Sequence, residues 1–303
     1  MNYFWNYISY FYYGQFNAFK RPTLDLLKTL DLIIFDIDGV LRINTTPIDI
    51  AIESFNKIKN NNIPICILTN ECRRSPKKIK KELKNLGYDL SNIHLISSNL
   101  LMLKKIEDIC YNNRKQTFAI ISNNSFNSYI QSHINNKIKD RKPNIYYIDD
   151  DVYPEHIDYF IISCLDQEYY EKKKNIIKQW FLNNKSAKII ATCPSKNDMY
   201  SENIFPITII NKHPVKNKQF EIVGKNNYKY ILDEIKTYYG FNALKNENIL
   251  TIGDNLITDI EFSKKNNFKS ALVLSGNTKL NDLNKTAYEN IDYIIPDISY
   301  LCF

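Results

Sequence analysis

The chain has 303 residues, 44% hydrophobic and 24% charged, which suits one large or two medium folded domains and excludes global disorder. Its formal charge of +7 is spread over lysines mixed with aspartates and glutamates, so no basic block points to nucleic acid. Six cysteines form no C-x-x-C pair and have no His at zinc-ligand spacing, which leaves them as small hydrophobes suited to a reducing cytoplasm.

Residues 1–30 read as an aromatic N-terminal extension. The first nineteen carry no charged side chain, and Phe4, Ile8, Phe11, Tyr12, Phe16 and Phe19 recur at helical spacing before a stop at Lys20-Arg21-Pro22. The segment is too polar to span a bilayer and lacks the layout of a secretory signal. Its apolar face is expected to pack on the core or on a partner subunit, with docking of residues 1–20 on a membrane surface as the alternative.

Short apolar runs rich in β-branched residues follow, alternating with helical patterns. They are Leu32–Phe35, Ile63–Leu68, Phe118–Ile121, Tyr159–Ile162, Ile189–Ala191, Ile207–Ile210, Ile249–Ile252, Ala271–Leu274 and Tyr293–Ile295. Between the first two, Thr46 as N-cap and Pro47 at the first helical position predict a helix with Ile48, Ala51, Ile52 and Phe55 on one face. After the second, Ser75-Pro76 repeats the start signal, Ile79, Leu83 and Leu86 form a stripe, and Gly87 is the expected C-cap. Continuously apolar strands alternating with helices predict an α/β fold, a Rossmann-like doubly wound parallel-sheet core. The stretch from Thr69 to Lys225 is far longer than one crossover needs. It predicts an inserted α/β domain over 106–205, leaving 31–105 and 206–303 as the core.

Polar residues fall where such a sheet exposes them, at the carboxyl ends of strands. "DIDGV" (36–40) follows the first run, "LTN" (68–70) the second, and "VGK" (223–225) and "GDNLITD" (253–259) come later. Each alone is ordinary turn chemistry. The four in this order resemble the haloacid dehalogenase superfamily, and within it the subclass IIA phosphatases that carry a large α/β cap of the C2 type between the second and third motifs. That group includes the para-nitrophenylphosphatase, phosphoglycolate phosphatase, pyridoxal phosphate phosphatase and bacterial nucleotide phosphatase relatives.

The resemblance implies an Mg²⁺-dependent hydrolase of small phosphorylated metabolites, in which a cation neutralises an anionic ester and the carboxylate that attacks it. Asp36, Asp254 and the main-chain carbonyl of Asp38 would hold Mg²⁺. Asp36 would be the nucleophile and Asp38 the general acid and base. Gly39 would let the backbone turn and offer its amide to the phosphoryl oxygens. Thr69 would bind the phosphoryl group, with Asn70 near the leaving group, and Lys225 would offset negative charge. Asp259 would support the metal shell. A carboxylate at Asp38 favours phosphoryl transfer over dehalogenation.

Glu71 departs from the family pattern by adding negative charge beside an anionic site, with Arg73 and Arg74 available to offset it; the sequence after Lys225 departs as well. Ser195–Asp198 is the expected substrate-facing loop of the cap, and capped relatives often pair, so a homodimer is an open expectation. The acidic stretch "IDDDVYPEH" (148–156) reads as a solvated loop, and His94, His133 and His213 need no role. Two rivals are a phospho-aspartate signalling domain, which would be a single short domain, and a catalytically silent scaffold, which would have lost motif carboxylates.

Overall fold

The computed structural model describes residues 19–23, 25–112, 115–138, 142–150, 152, 154–193, 203–213, 220–225, 227–240 and 244–301. The described strands are β1 (Leu32–Phe35), β2 (Arg42–Ile43), β3 (Thr46–Pro47), β4 (Ile65–Thr69), β5 (His94–Ser97), β6 (Thr117–Ile121), β7 (Asn144–Tyr147), β8 (Tyr159–Ile162), β9 (Leu165–Asp166), β10 (Lys188–Thr192), β11 (Asn203–Ile204), β12 (Phe220–Val223), β13 (Ile249–Gly253), β14 (Lys269–Val273) and β15 (Tyr293–Ile295). The chain forms two compact units. One gathers the chain up to Ile67, Leu86–Ile93 and everything from Tyr239 onward; the other gathers Leu68–Asn85 and His94–Tyr238.

In the first unit β1 has parallel neighbours on both sides. Ile33 lies opposite Leu250 of β13 and Ile65 of β4, and Phe35 opposite Ile252 and Ile67. Beyond β13 come β14 and β15, again parallel. All four residues of β1 and all five of β13 are buried, the signature of strands covered on both faces. Because the chain leaves β1 toward β4 and later returns on the β13 side, the carboxyl end of β1 is a topological switch point, where open α/β sheets form a crevice. The end of the N-terminal extension closes the β15 edge: Lys20 bridges Ile294, whose N–H donates to the Lys20 carbonyl at 3.0 Å. Pairing the edge strand in this way removes unsatisfied backbone groups. Phe19 packs on the cluster containing Leu272, Ile291 and Ile294. The rest of the expected aromatic face, residues 4–16, lies outside the described residues.

The second unit is built on another parallel sheet, ordered β12-β10-β8-β6-β7. Its core includes Phe160, Ile162, Tyr170, Ile177, Trp180 and Phe181 from β8 and the Gln167–Asn183 helix. The helix starts where expected of an Asp N-cap, with the Asp166 carboxylate accepting from the Tyr169 N–H at 3.1 Å. Among the described residues no helix is long and apolar enough to cross a membrane.

Two local expectations are overturned. Thr46 and Pro47 do not start a helix; they form β3, which pairs antiparallel with β2, and the helix runs Asp49–Lys59 after Ile48. Proline suits the short edge strand of a hairpin as well as a helix start, so the sequence cue is ambiguous. Ile207–Ile210 is not a strand but part of the Pro206–Lys212 helix, with Pro206 at its start and Ile207, Ile209 and Ile210 buried. A short apolar run buried on most sides has no period to tell helix from strand, and Pro at the first position decided it.

Phe55 joins the Asp49–Lys59 helix to the first unit's core, its ring edge-on to Phe35 at 5.2 Å and to Tyr88 at 5.4 Å. Phe55→Ala is expected to lower unfolding stability by about 3–5 kcal/mol through the cavity it leaves, measurable by urea denaturation.

Candidate active site

The parallel register places Asp36 beside the end of β13. The Asp36 N–H donates to the Ile252 carbonyl at 2.9 Å, extending the β1–β13 ladder by one residue, so Asp36 and Asp254 leave neighbouring strands at the same sheet edge. Asp259 reaches the same place from the wide helical turn Leu256–Ile260. The Asn255 side chain caps that turn, accepting from the Ile257 and Thr258 N–H groups at 2.9 and 3.2 Å. The Asn255 N–H in return donates to Asp259 Oδ2 at 3.0 Å.

Asp36, Asp254 and Asp259 each offer a carboxylate oxygen, all within 4.8 Å of one another. Asp254 and Asp259 are almost sealed from water, at 2% and 1% exposure. Three hard oxygen donors converging at a strand switch point are a donor set that fits Mg²⁺ or a similar divalent cation.

Asp254 is held by a loop that the sequence reading passed over, Ser275-Gly276-Asn277 after β14. The Asn277 N–H donates to Asp254 Oδ2 at 2.6 Å, the Thr278 N–H to the Asp254 carbonyl at 3.1 Å, and Ser275 Oγ to the Gly39 carbonyl at 2.6 Å. A Cβ on Gly276 would fall 2.0 Å from Asp254 Oδ2, and one on Gly39, whose φ is +82°, would fall 2.1 Å from the same oxygen. Both glycines are therefore required by the carboxylate lying between them. The only trace of this loop in the sequence is a Ser-Gly pair at another strand end, which reads as a turn.

Asp38 and Gly39 occupy the turn between β1 and β2. Arg42, buried at the start of β2, donates from Nε to Asp38 Oδ1 at 3.0 Å, and its carbonyl accepts the Gly39 N–H at 2.7 Å. The Arg42 contact was not anticipated, because an acid and a base four apart signal pairing on a helix, not across a tight turn.

Thr69, Asn70 and Lys225 belong to the second unit. Asn70 Oδ1 accepts the Lys225 N–H at 3.2 Å, joining the loop after β4 to the loop after β12. Lys225 is 4% exposed. Thr69 Oγ1 accepts the Glu71 N–H at 3.1 Å. Glu71 is neutralised locally: Arg73 donates to its carboxylate from the backbone N–H at 2.7 Å, from Nε at 2.9 Å and from Nη2 at 2.5 Å, while Arg74 stands 3.8 Å away and pairs Glu82 at 2.9 Å. Burial pushes the Glu71 carboxyl up, and the Arg73 and Arg74 contacts outweigh it, so the net shift is downward.

The remaining sequence candidates are structural. Asp150 accepts the Tyr147 N–H at 2.7 Å and His156 meets Asp158 at 2.9 Å, turn chemistry on the surface, with Asp151 and Tyr153 outside the described residues. His94 pairs Glu234 at 3.2 Å, His133 pairs Glu107 at 2.6 Å, and buried His213 meets the Tyr170 hydroxyl at 3.2 Å. Ser195–Asp198 lies outside the described residues.

Two family models match the chain: "Haloacid dehalogenase-like hydrolase" over residues 33–135 and "HAD-hyrolase-like" over 223–301. Among solved structures, it is similar to a p-nitrophenyl phosphatase from Archaeoglobus fulgidus at 17% identity, covering 90% of this chain and 98% of that one with a TM-score of 0.68. It is also similar to a 4-nitrophenylphosphatase from Thermotoga maritima (20% identity, 91% and 97% covered, TM-score 0.67) and to NagD from E. coli K-12 (19% identity, 89% and 97% covered, TM-score 0.68). No curated protein matches the sequence.

Gly276→Ala is expected to destabilise the protein by about 1–3 kcal/mol, the usual cost of overpacking, seen as a lower urea midpoint. The Glu71 pairing predicts a pH dependence. Its folded pKa is depressed, so its stabilisation is complete above the unfolded value near 4.5 and is lost as pH falls through the lower folded value. Wild type should therefore lose stability faster than Glu71→Gln on acidification below that value, in denaturation curves taken at stepped pH.

Proposed function

Since this chain belongs to the haloacid dehalogenase-like hydrolases, we propose that it is a phosphomonoester hydrolase acting on a small phosphorylated molecule with Mg²⁺. The observation that carries this reading is the convergence of Asp36, Asp254 and Asp259 at the switch point of the first unit's sheet. Asp36, Asp254 and the Asp38 carbonyl would hold the cation, with Asp259 supporting them. When bound, Mg²⁺ supplies the positive charge that lets a phosphate ester approach carboxylates.

The chain's own residues divide the remaining work. The Asp36 carboxylate attacks phosphorus in line, and the phosphoryl group passes to it as an aspartyl-phosphate while the ester P–O bond breaks. The Asp38 carboxyl gives its proton to the departing oxygen and then takes one from the water that hydrolyses the aspartyl-phosphate. Arg42 Nε, donating to Asp38 Oδ1, orients that carboxyl. The Gly39 N–H, expected to face the phosphoryl oxygens, is instead taken by the Arg42 carbonyl at 2.7 Å, so Gly39 serves by letting the backbone turn beside Asp254. The Thr69 hydroxyl serves the phosphoryl oxygens, with Asn70 toward the leaving group, and the Lys225 ammonium offsets the charge that builds up on phosphate and carboxylates. The inserted region 106–205 acts as the cap that selects a small substrate and excludes water. A reducing cytoplasm is the compartment that suits the chain.

The test is phosphate release from a panel of small esters by the purified protein, with Mg²⁺ and with a chelator, beside Asp36→Asn. Wild type should release phosphate only with the cation, and Asp36→Asn should lower turnover on the order of a thousandfold or more. Equal inactivity of both proteins on every ester, with the cation present and the chain folded, would sink the hydrolase reading.

A further inference from the structure

Three thiols that have no part in the proposed chemistry meet in the second unit. Cys72, Cys164 and Cys193 are buried together against Phe205. Cys164 lies just past the carboxyl end of β8 and Cys193 just past that of β10, its parallel neighbour, while Cys72 sits in the loop after β4. The Cys72 and Cys164 Sγ atoms are 2.7 Å apart. That is closer than thiols rest in van der Waals contact and within a small displacement of a disulfide bond of about 2.0 Å.

The backbone presenting these sulfurs is pinned. The Cys72 carbonyl accepts from Asn99 Nδ2 at 3.0 Å and from Ser163 Oγ at 3.2 Å, and the Cys164 carbonyl from Asn123 Nδ2 at 3.4 Å. Thr192 Oγ1 donates to Ser163 Oγ at 3.1 Å, tying β10 into the same network. Cys193 holds a φ of +61°, a left-handed conformation that side-chain-bearing residues rarely adopt and that persists only where surroundings enforce it. Filling an apolar gap requires none of this; three aliphatic side chains would fill it.

We propose that Cys72 and Cys164 form an oxidative modification site, a reversible intramolecular disulfide made by hydrogen peroxide, with Cys193 as the adjacent third thiol. One thiol sulfur attacks the peroxide O–O bond and becomes a sulfenic acid, releasing one water. The partner sulfur then attacks the sulfenic sulfur, its proton leaves with the hydroxyl as a second water, and the S–S bond forms. Two thiols lose two protons and two electrons, and one peroxide is reduced to two waters. Burial pushes both thiols up in pKa, which makes the first attack slow. Proximity, not acidity, therefore selects the pair, because the resolving sulfur is already in place once the first is oxidised. Cys66 and Cys110 are buried elsewhere in the chain and serve as internal controls.

The test treats the reduced, folded full chain with a few equivalents of hydrogen peroxide, alkylates it, and maps its peptides without reduction. A Cys72–Cys164 linked peptide lighter by two hydrogens, reversed by dithiothreitol, with Cys66 and Cys110 still alkylated, is the expected result. Cys193→Ser should keep the link, and Cys72→Ser or Cys164→Ser should abolish it. Sulfinic or sulfonic acid without a cross-link, a Cys72–Cys193 link instead, or a link that forms only in denaturant would each overturn the proposal. The wild-type map decides the matter even where a serine variant does not fold.

Discussion

Three like charges confined to one small space are the constraint on which the first unit is organised. Asp36, Asp254 and Asp259 bring oxygens within 4.8 Å of one another, two of them at sites nearly closed to water. Like charges so placed repel each other, and taking them out of water adds a desolvation cost. The fold answers with oriented donors: the Asn277 N–H on Asp254 and the Asn255 N–H on Asp259. Such fixed dipoles satisfy carboxylate oxygens without bringing in another bulky side chain, which leaves the oxygens room to meet a cation.

That constraint explains features which otherwise read as local accidents. Asp254 can sit between the β1 turn and the loop after β14 only because Gly39 and Gly276 bring no Cβ toward it, and Ser275 ties those two loops together through the Gly39 carbonyl. Glu71 in the second unit shows the contrasting solution. A carboxylate with no exposed surface is forked by Arg73 and approached by Arg74, so its charge is met by cations of the chain itself. A carboxylate that already has its guanidinium is a structural clasp on the loop carrying Thr69 and Asn70. It is poorly suited to a second anionic duty.

How much could be read from sequence follows from the same physics. Groups that leave a fully apolar strand are conspicuous, since a run such as Leu32–Phe35 followed by Asp36 and Asp38 has no packing explanation. The α/β architecture and the strand ends bearing Asp36, Thr69 and Asp254 were legible for that reason. Arg42 and the Ser275–Asn277 loop were not, because their importance lies in what approaches them from distant parts of the chain. Pro47 misled, because proline restricts φ and removes a donor without choosing between a helix start and a hairpin edge. The pairing of Glu71 with Arg73 was foreseeable as chemistry, but only geometry distinguishes an internal clasp from a substrate contact.

A parallel sheet also changes what counts as near in a sequence. Every strand delivers its following residue to the same edge, so register, not separation along the chain, decides which side chains meet. At the ends of β1 and β13 this gathers carboxylates, and at the ends of β8 and β10 it gathers thiols. Scattered cysteines therefore give a misleading impression in a doubly wound protein. Spacing rules for disulfides and metal sites assume ligands close in sequence. Cys164 and Cys193 follow adjacent strands, and their meeting is a consequence of topology that no spacing pattern reports.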